Sequence, residues 1–211
     1  MVILSLKENI IRTRFPDKPI RVDPYTFKDE ANKYEGYLAQ SKLDGWRCLV
    51  SKQDGELHFI SRHDRPIDVC DEIRQAVTEL DLPENSMLDC EWMARRPNYK
   101  LLEDTEKLYI LGLLWWEDEW MGRMGEAARY EKLLEALGII SDPIRIPDTV
   151  ESDLFDFFEQ QVNNWITEGV VLKHKDAKLI GNRKECKKNN LWNKVKWRDG
   201  NDGMTIIYVM E

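Results

Sequence analysis

Apolar and polar residues alternate along much of this chain with the two-residue period of half-buried strands. Apolar runs at 37–39 and 48–50 flank the polar hexapeptide Lys42-Leu43-Asp44-Gly45-Trp46-Arg47, which predicts two strands joined through a tight bend. Residues 56–60 alternate after the turn-like Gln53-Asp54-Gly55, and residues 87–94 alternate with Asp89 and Glu91 on one face. The unbroken apolar stretch 108–116 reads as a buried strand. Further strands are predicted at 139–146 (broken by Pro143), 170–173, 192–197 and 204–210.

Helical spacing appears at 69–80, where Val69, Ile73, Ala76, Val77 and Leu80 share a face, and at 125–137, which Gly138 closes as a C-cap. A helix over 152–166 would be capped by Ser152, and a short one over 26–33 by Thr26. Residues 1–24, with Pro16, Pro19 and Pro24, read as an irregular leading segment. Strands dominate both ends and two or three helices are inserted. The pattern predicts an α+β fold of antiparallel sheets flanked by helices.

The chain has 211 residues, 42% hydrophobic and 33% charged, which fits one large globular domain or two small ones. No apolar run approaches the roughly 20 residues of a membrane span, and the N-terminus lacks a basic leader with a cleavage site, so no membrane association is expected. Cys48, Cys70, Cys90 and Cys186 form no C-x-x-C pair, so free thiols in a reducing, cytoplasmic setting are expected. The net charge of −8 argues against indiscriminate nucleic-acid binding. Residues 181–198 nevertheless gather Arg183, Lys184, Lys187, Lys188, Lys194, Lys196 and Arg198 into a basic stretch suited to phosphate contacts.

Several predicted strands carry charges where a plain core strand would not: Lys42 and Asp44 at the bend, the Asp89/Glu91 pair, Glu168 before V-V-L-K, and Lys194 with Lys196. A charge pointing into a fold is costly unless it is paired or binds a ligand. Carboxylates of Glu91 and Glu168 suit Mg²⁺, a hard cation. A lysine amine is a good nucleophile once deprotonated, but at neutral pH less than ~0.1% of a free lysine is in that form. Lys194 and Lys196 are expected to depress the pKa of Lys42 by like-charge repulsion and to neutralise a phosphate.

The ordered set K-L-D-G-W-R (42–47), S-R (61–62), L-D-C-E (88–91), E-G-V-V-L-K (168–173) and W-N-K-V-K (192–196) resembles the covalent nucleotidyltransferases, whose members are ATP-dependent DNA ligases, RNA ligases and capping enzymes. The resemblance covers residues 37–198 and is strongest to small phage-type DNA ligases. It implies an ATP-grasp-like adenylation domain over 1–200, with 201–211 a terminal strand at the start of an OB-fold domain.

The resemblance also implies roles. Lys42 would attack ATP to form a lysyl-AMP adduct. Arg47 and Arg62 would hold ribose or phosphate oxygens, and Lys194 and Lys196 would grip the α-phosphate. Glu91 and Glu168 would serve Mg²⁺, with Mn²⁺ as a substitute, and Glu91 could also contact the ribose. Asp44 would orient its neighbours and the 3′ end, while Gly45 and Gly169 would serve as backbone devices, Gly169 allowing close approach. Gln40 and Leu111 would meet the adenine, Val171 and Lys173 would contact the nucleotide, and Arg183, Lys184, Lys187 and Lys188 would contact DNA.

The implied function is nick sealing in DNA repair and replication by a monomer in a phage or bacterial host cell, with nicked duplex DNA as partner. RNA ligation, or a non-catalytic nucleotide- or nucleic-acid-binding module, is the alternative. Two positions depart from the family pattern. Gln40 stands where the family has a Glu that reads the adenine amino group, although an amide oxygen still accepts that bond. Leu111 stands at the adenine-stacking position, so either Tyr109 substitutes or the stacking is aliphatic.

Overall fold

The computed structural model describes residues 15–94, 106–181, 186–199 and 205–209. Two sheets form its frame. The first contains β1 (Lys18–Val22), β2 (Tyr37–Leu43), β9 (Thr149–Val150), β10 (Thr167–His174) and β11 (Lys188–Lys196), in the order β1-β11-β10-β2-β9. All its pairings are antiparallel except β1 with β11. The second contains β3 (Trp46–Gln53), β4 (Glu56–Ser61), β5 (Ser86–Met93), β6 (Lys107–Trp116) and β7 (Glu119–Trp120), in the order β4-β3-β5-β6-β7, with β8 (Ile144–Arg145) parallel to β6. A short ladder joins β12 (Arg198–Asp199) to β13 (Thr205–Ile206).

Among the described residues, four α-helices cover the outer faces: α1 (Pro24–Asp29), α2 (Asp71–Glu79), α3 (Glu126–Leu137) and α4 (Leu154–Gln161). Strand alternation explains this layering. Cys48, Val50, Leu88 and Cys90 point to the face covered by Ile73, Val77 and Leu133 of the helices. Leu49 and Met87 point the other way and meet Trp192, Ala177 and Leu179 between the sheets. The first sheet buries Ala39, Val170, Leu172 and Val195 against Phe27, Phe157, Phe158, Trp197 and Tyr208. Fully burying one such Leu or Phe is worth about 1.5–3 kcal/mol, so each face is strongly specified.

The bend at Asp44-Gly45 joins two strands as expected, but they are not partners in one sheet, since β2 belongs to the first sheet and β3 to the second. The predicted helix over 26–33 begins earlier. Asp23 is the cap, its Oδ1 accepting the N–H groups of Tyr25 (3.0 Å) and Thr26 (3.2 Å), with Pro24 fitting the first turn. The helix predicted over 152–166 is shorter and Ser152 does not cap it. Left-handed Asp153 stands before it, and extended Val162 with left-handed Asn163 ends it. The strand predicted over 139–146 shrinks to Ile144–Arg145, since Pro143 has no N–H to give a ladder. Of the strand predicted at 204–210, Thr205–Ile206 forms, while 204 and 210 lie outside the described residues. Tyr208 is buried in the first sheet's core, its hydroxyl donating to Glu159 at 2.7 Å. Among the described residues no helix is long and apolar enough to cross a membrane.

Candidate active site

Lys42 ends the regular part of β2, and register sets it opposite Gly169 of β10, which in turn pairs with Lys196 of β11. The ladder slips between Thr167 and Gly169, leaving Glu168 as the extra residue of a bulge. Its carboxylate bridges the two amines, contacting Lys42 Nζ through Oε1 and Lys196 Nζ at 2.5 Å through Oε2. Only glycine fits at 169: φ is +143°, and a Cβ would lie 1.9 Å from the Val195 carbonyl oxygen. Gly45 is crowded too, though less severely: a Cβ there would lie 2.7 Å from the Trp92 carbonyl oxygen and 2.8 Å from Glu91 Cγ. Its N–H donates to Glu91 Oε1 at 3.0 Å, tying the bend to β5.

Arg47 forms a fork with Asp89, Nε donating to Oδ1 at 2.6 Å and Nη2 to Oδ2. Asp89 is therefore a buried partner on the site's wall, and two of the five N–H groups of Arg47 are already engaged. Asp44 meets Arg198, whose Nη1 donates to Oδ2 at 3.1 Å. Arg198 is buried, donates to the carbonyls of Thr167 and Trp165, and lies over the rings of Trp165 and Trp197. It is thus a structural tie and does not belong to the exposed basic stretch.

Burial pushes Glu91 up to about 7, with Lys42 and Arg47 pulling it back only in part. Burial also pushes Glu168 up, but Lys42 and Lys196 outweigh it and hold the carboxyl below its usual range. Lys194 is lowered by burial and then by the like charges of Lys42 and Lys196. Lys196 goes the other way: burial lowers it, but its bonds to Glu168 and Asp199 prevail. Lys42 and Lys196 thus share one carboxylate, that of Glu168. All four cysteines are free thiols; burial pushes Cys48 up to about 12 and also raises the other three, so none is activated.

Lys42, Arg47, Glu91, Glu168, Lys194 and Lys196 line a cleft of about 1150 Å³. Seven of its lining residues are Lys or Arg and five are Asp or Glu, an excess of cations on a chain whose total is −8. Lys18, Arg62 and Lys188 lie on its walls, with Arg62 Nε 3.1 Å from His63 Nε2. Lys187 is exposed, and its carbonyl accepts the Lys18 N–H at 2.6 Å. Arg183 and Lys184 lie outside the described residues. A smaller cavity of about 90 Å³ opens beside Lys42, lined by Gln40, Leu111, Val171, Lys173 and Trp192 among others. Tyr109 turns away to pack with Leu43 and Met93, so the aliphatic side chains of Leu111 and Val171 face the cavity instead. Trp192 was not anticipated there. The signal lay in W-N-K-V-K, where the strand period puts Trp192, Lys194 and Lys196 on one face.

Among the described residues no group of three or more His, Cys, Asp and Glu side chains forms a metal cage. The donor set suits a cation that takes one or two carboxylates and shares phosphate oxygens and water, which is the habit of Mg²⁺.

The fold is shared with solved DNA ligases. The ligase domain of LigD from M. tuberculosis superposes with a TM-score of 0.59 at 22% identity, over 77% of this chain and 54% of that one. The ATP-dependent DNA ligase of bacteriophage T7, complexed with ATP, gives 0.55 at 14% identity, over 89% and 69%. Chlorella virus DNA ligase–adenylate gives 0.54 at 19% identity, over 87% and 68%. This chain thus spans about half the length of the mycobacterial ligase domain. Among curated protein sequences none matches it. The family described as ATP dependent DNA ligase domain matches residues 23–196, and the chain belongs to that family.

Proposed function

We propose that this chain is the adenylation unit of an ATP-dependent DNA ligase and that Lys42 is its nucleophile. The observation that carries this is the row Lys42–Gly169–Lys196 with Glu168 across it, placed between the small cavity and the basic cleft. In this reading the base of ATP enters the cavity between Leu111, Val171 and Trp192. Its triphosphate then runs into the cleft past Arg47, Lys194 and Lys196. The Lys42 amine, released from Glu168 and deprotonated, forms a P–N bond to the α-phosphorus as the α–β P–O bond breaks and pyrophosphate leaves. Glu91 and Glu168 would hold Mg²⁺, which neutralises charge on the phosphates when bound. Arg62 would contact ribose or phosphate oxygens.

The AMP then passes to the 5′-phosphate of a nicked duplex, and the adjacent 3′-hydroxyl displaces it. Lys187 and Lys188, with Arg183 and Lys184, would meet the DNA backbone, and such contacts carry no base information. The proposal keeps residues 1–200 as the adenylation unit and 201–211 as the start of an OB-fold segment.

The test is incubation with α-labelled ATP and Mg²⁺, followed by denaturation and a chase onto nicked duplexes with all-DNA or RNA-containing strands. Label that survives denaturation, is absent in Lys42→Ala and discharges onto nicked DNA is expected. Label retained by Lys42→Ala would remove the nucleophile assignment, and discharge only onto RNA nicks would remove the DNA assignment.

A further inference from the structure

Asp17 is fully buried and takes no part in the nucleotide site. Three donors satisfy its carboxylate. Oδ1 accepts the Gly181 N–H at 3.2 Å, while Oδ2 accepts the Ile180 N–H at 2.9 Å and Asn189 Nδ2 at 2.6 Å. A buried carboxylate is costly unless it is satisfied in this way. Asn189 is itself buried, donating also to the Lys178 carbonyl at 3.0 Å and accepting the Leu191 N–H at 3.0 Å. Asp17 therefore staples the chain at 180–181 to the start of β11, across the base of the basic stretch.

The residues beside this staple carry charge into the cleft. Lys18 and Lys188 are register partners in the parallel β1–β11 ladder, so their side chains leave the same face, and both line the cleft. Like charges side by side on a sheet repel. Among the described residues neither lysine meets a carboxylate. Acids of the cleft are engaged elsewhere, Asp199 by Arg21 and Lys196, and Asp68 by Arg74. Regular pairing does not impose this neighbourhood, since the ladder slips between Pro19 and Ile20. Lys18 is held against Lys188 by the Asp17 staple and by its own N–H, which donates to the Lys187 carbonyl at 2.6 Å.

We propose that Lys18 and Lys188 form a subsite for one backbone phosphate of the nicked duplex, and that Asp17 is the residue that positions them. The inference rests on the ligase reading of the cleft. Both lysines are exposed and stand outside the small cavity that receives the base, which favours a phosphate of a large, solvent-facing ligand over one of the nucleotide's own. An anion between the two ammonium groups turns their repulsion into a shared attraction. Such a contact holds the strand in place without reading its sequence.

The test measures binding of the whole chain to a nicked DNA duplex by fluorescence anisotropy over a series of salt concentrations. Lys18→Ala should weaken the complex by about threefold to tenfold and flatten the slope of log affinity against log salt by about one. Adding Lys188→Ala should flatten it by about two, and Lys18→Arg should keep it. Asp17→Asn sets a donor where Asn189 met an acceptor, so it should lose affinity and slope as Lys18→Ala does. Thermal melting reports the fold of each variant, and a lower melting temperature with the slope unchanged would overturn the positioning role of Asp17. ATP affinity, read by calorimetry, is the second arm. An equal loss there in Lys18→Ala would assign the pair to the triphosphate and overturn the subsite, as would an unchanged salt slope. A wild type that does not bind the nicked duplex would overturn the ligase reading together with it, whereas a wild type that binds, with both lysine variants matching it, would overturn the subsite alone.

Discussion

Two clusters of buried charge, one across strands β2, β10 and β11 and the other between β10 and helix α3, differ in their access to water. At the cleft, Lys42 keeps 21% of its side chain exposed beside Glu168 and Lys196. Behind the small cavity, Lys173, Glu126 and Arg129 keep only 3–7%. The inner cluster is saturated, since Lys173 has three acceptors and Glu126 two cations. In the outer one Glu168 bridges Lys42 and Lys196, with the partly exposed Asp199 as a second partner of Lys196, and an incoming phosphate can replace Glu168 as counter-ion of Lys42. The same residue types therefore give a scaffold where water is excluded and a remodellable site where it is not.

The largest effect expected separates the two by activity. Lys42→Ala should lose all label transfer from α-labelled ATP while its melting temperature stays within a few degrees of wild type. Next, Glu126→Ala leaves Lys173 and Arg129 as uncompensated buried cations and should cost about 3–5 kcal/mol in urea unfolding. Glu168→Ala should cost less, because water reaches Lys42. Equal costs would erase the distinction between the clusters.

The two site carboxylates should also titrate with opposite sign. Glu91 is raised to about 7, so between its unfolded value and 7 the folded state binds the extra proton, and stability falls as pH rises through that window. The span corresponds to about 3 kcal/mol. Glu168 is lowered, so its contribution is full at neutral pH and is lost as pH falls through its folded value. Urea midpoints across pH 2–8 should show the Glu91 limb vanish in Glu91→Gln while the acid limb due to Glu168 remains. The smallest effect belongs to a surface pair outside both clusters: Lys132→Ala, which breaks the exposed contact to Glu135 at 3.2 Å, should shift stability by less than about 0.5 kcal/mol.

Local signals carried much of this into the sequence. Alternation located β4 and β5, and apolar runs located β3 and β6, strands whose one face packs under helices α2 and α3. Gly138 ended α3 as expected, with φ of +58° and its N–H donating to the Leu134 carbonyl. The ordered motifs brought Lys42, Glu91, Glu168, Lys194 and Lys196 to one cleft. What stayed hidden was pairing between distant segments. Nothing local tells that Arg198 reaches Asp44, that Asp89 answers Arg47, or that Thr149 answers Gln40 across 109 positions. Helix ends failed for a related reason, since Asp23 out-competed Thr26 through a bond that only backbone geometry reveals.

The strand order of the first sheet has a kinetic consequence. The second sheet closes through neighbours in the chain, from β3 to β8, so its hairpins can form as soon as their residues exist. The first sheet sets β2 beside β10 and β1 beside β11, partners more than a hundred residues apart, and such long loops close slowly. During synthesis the second sheet can be complete once Arg145 has emerged, whereas Lys42 waits for Glu168 and Lys196. The Lys42–Glu168–Lys196 arrangement is then the last feature this domain acquires as it folds, because it depends on pairing between segments far apart in the chain.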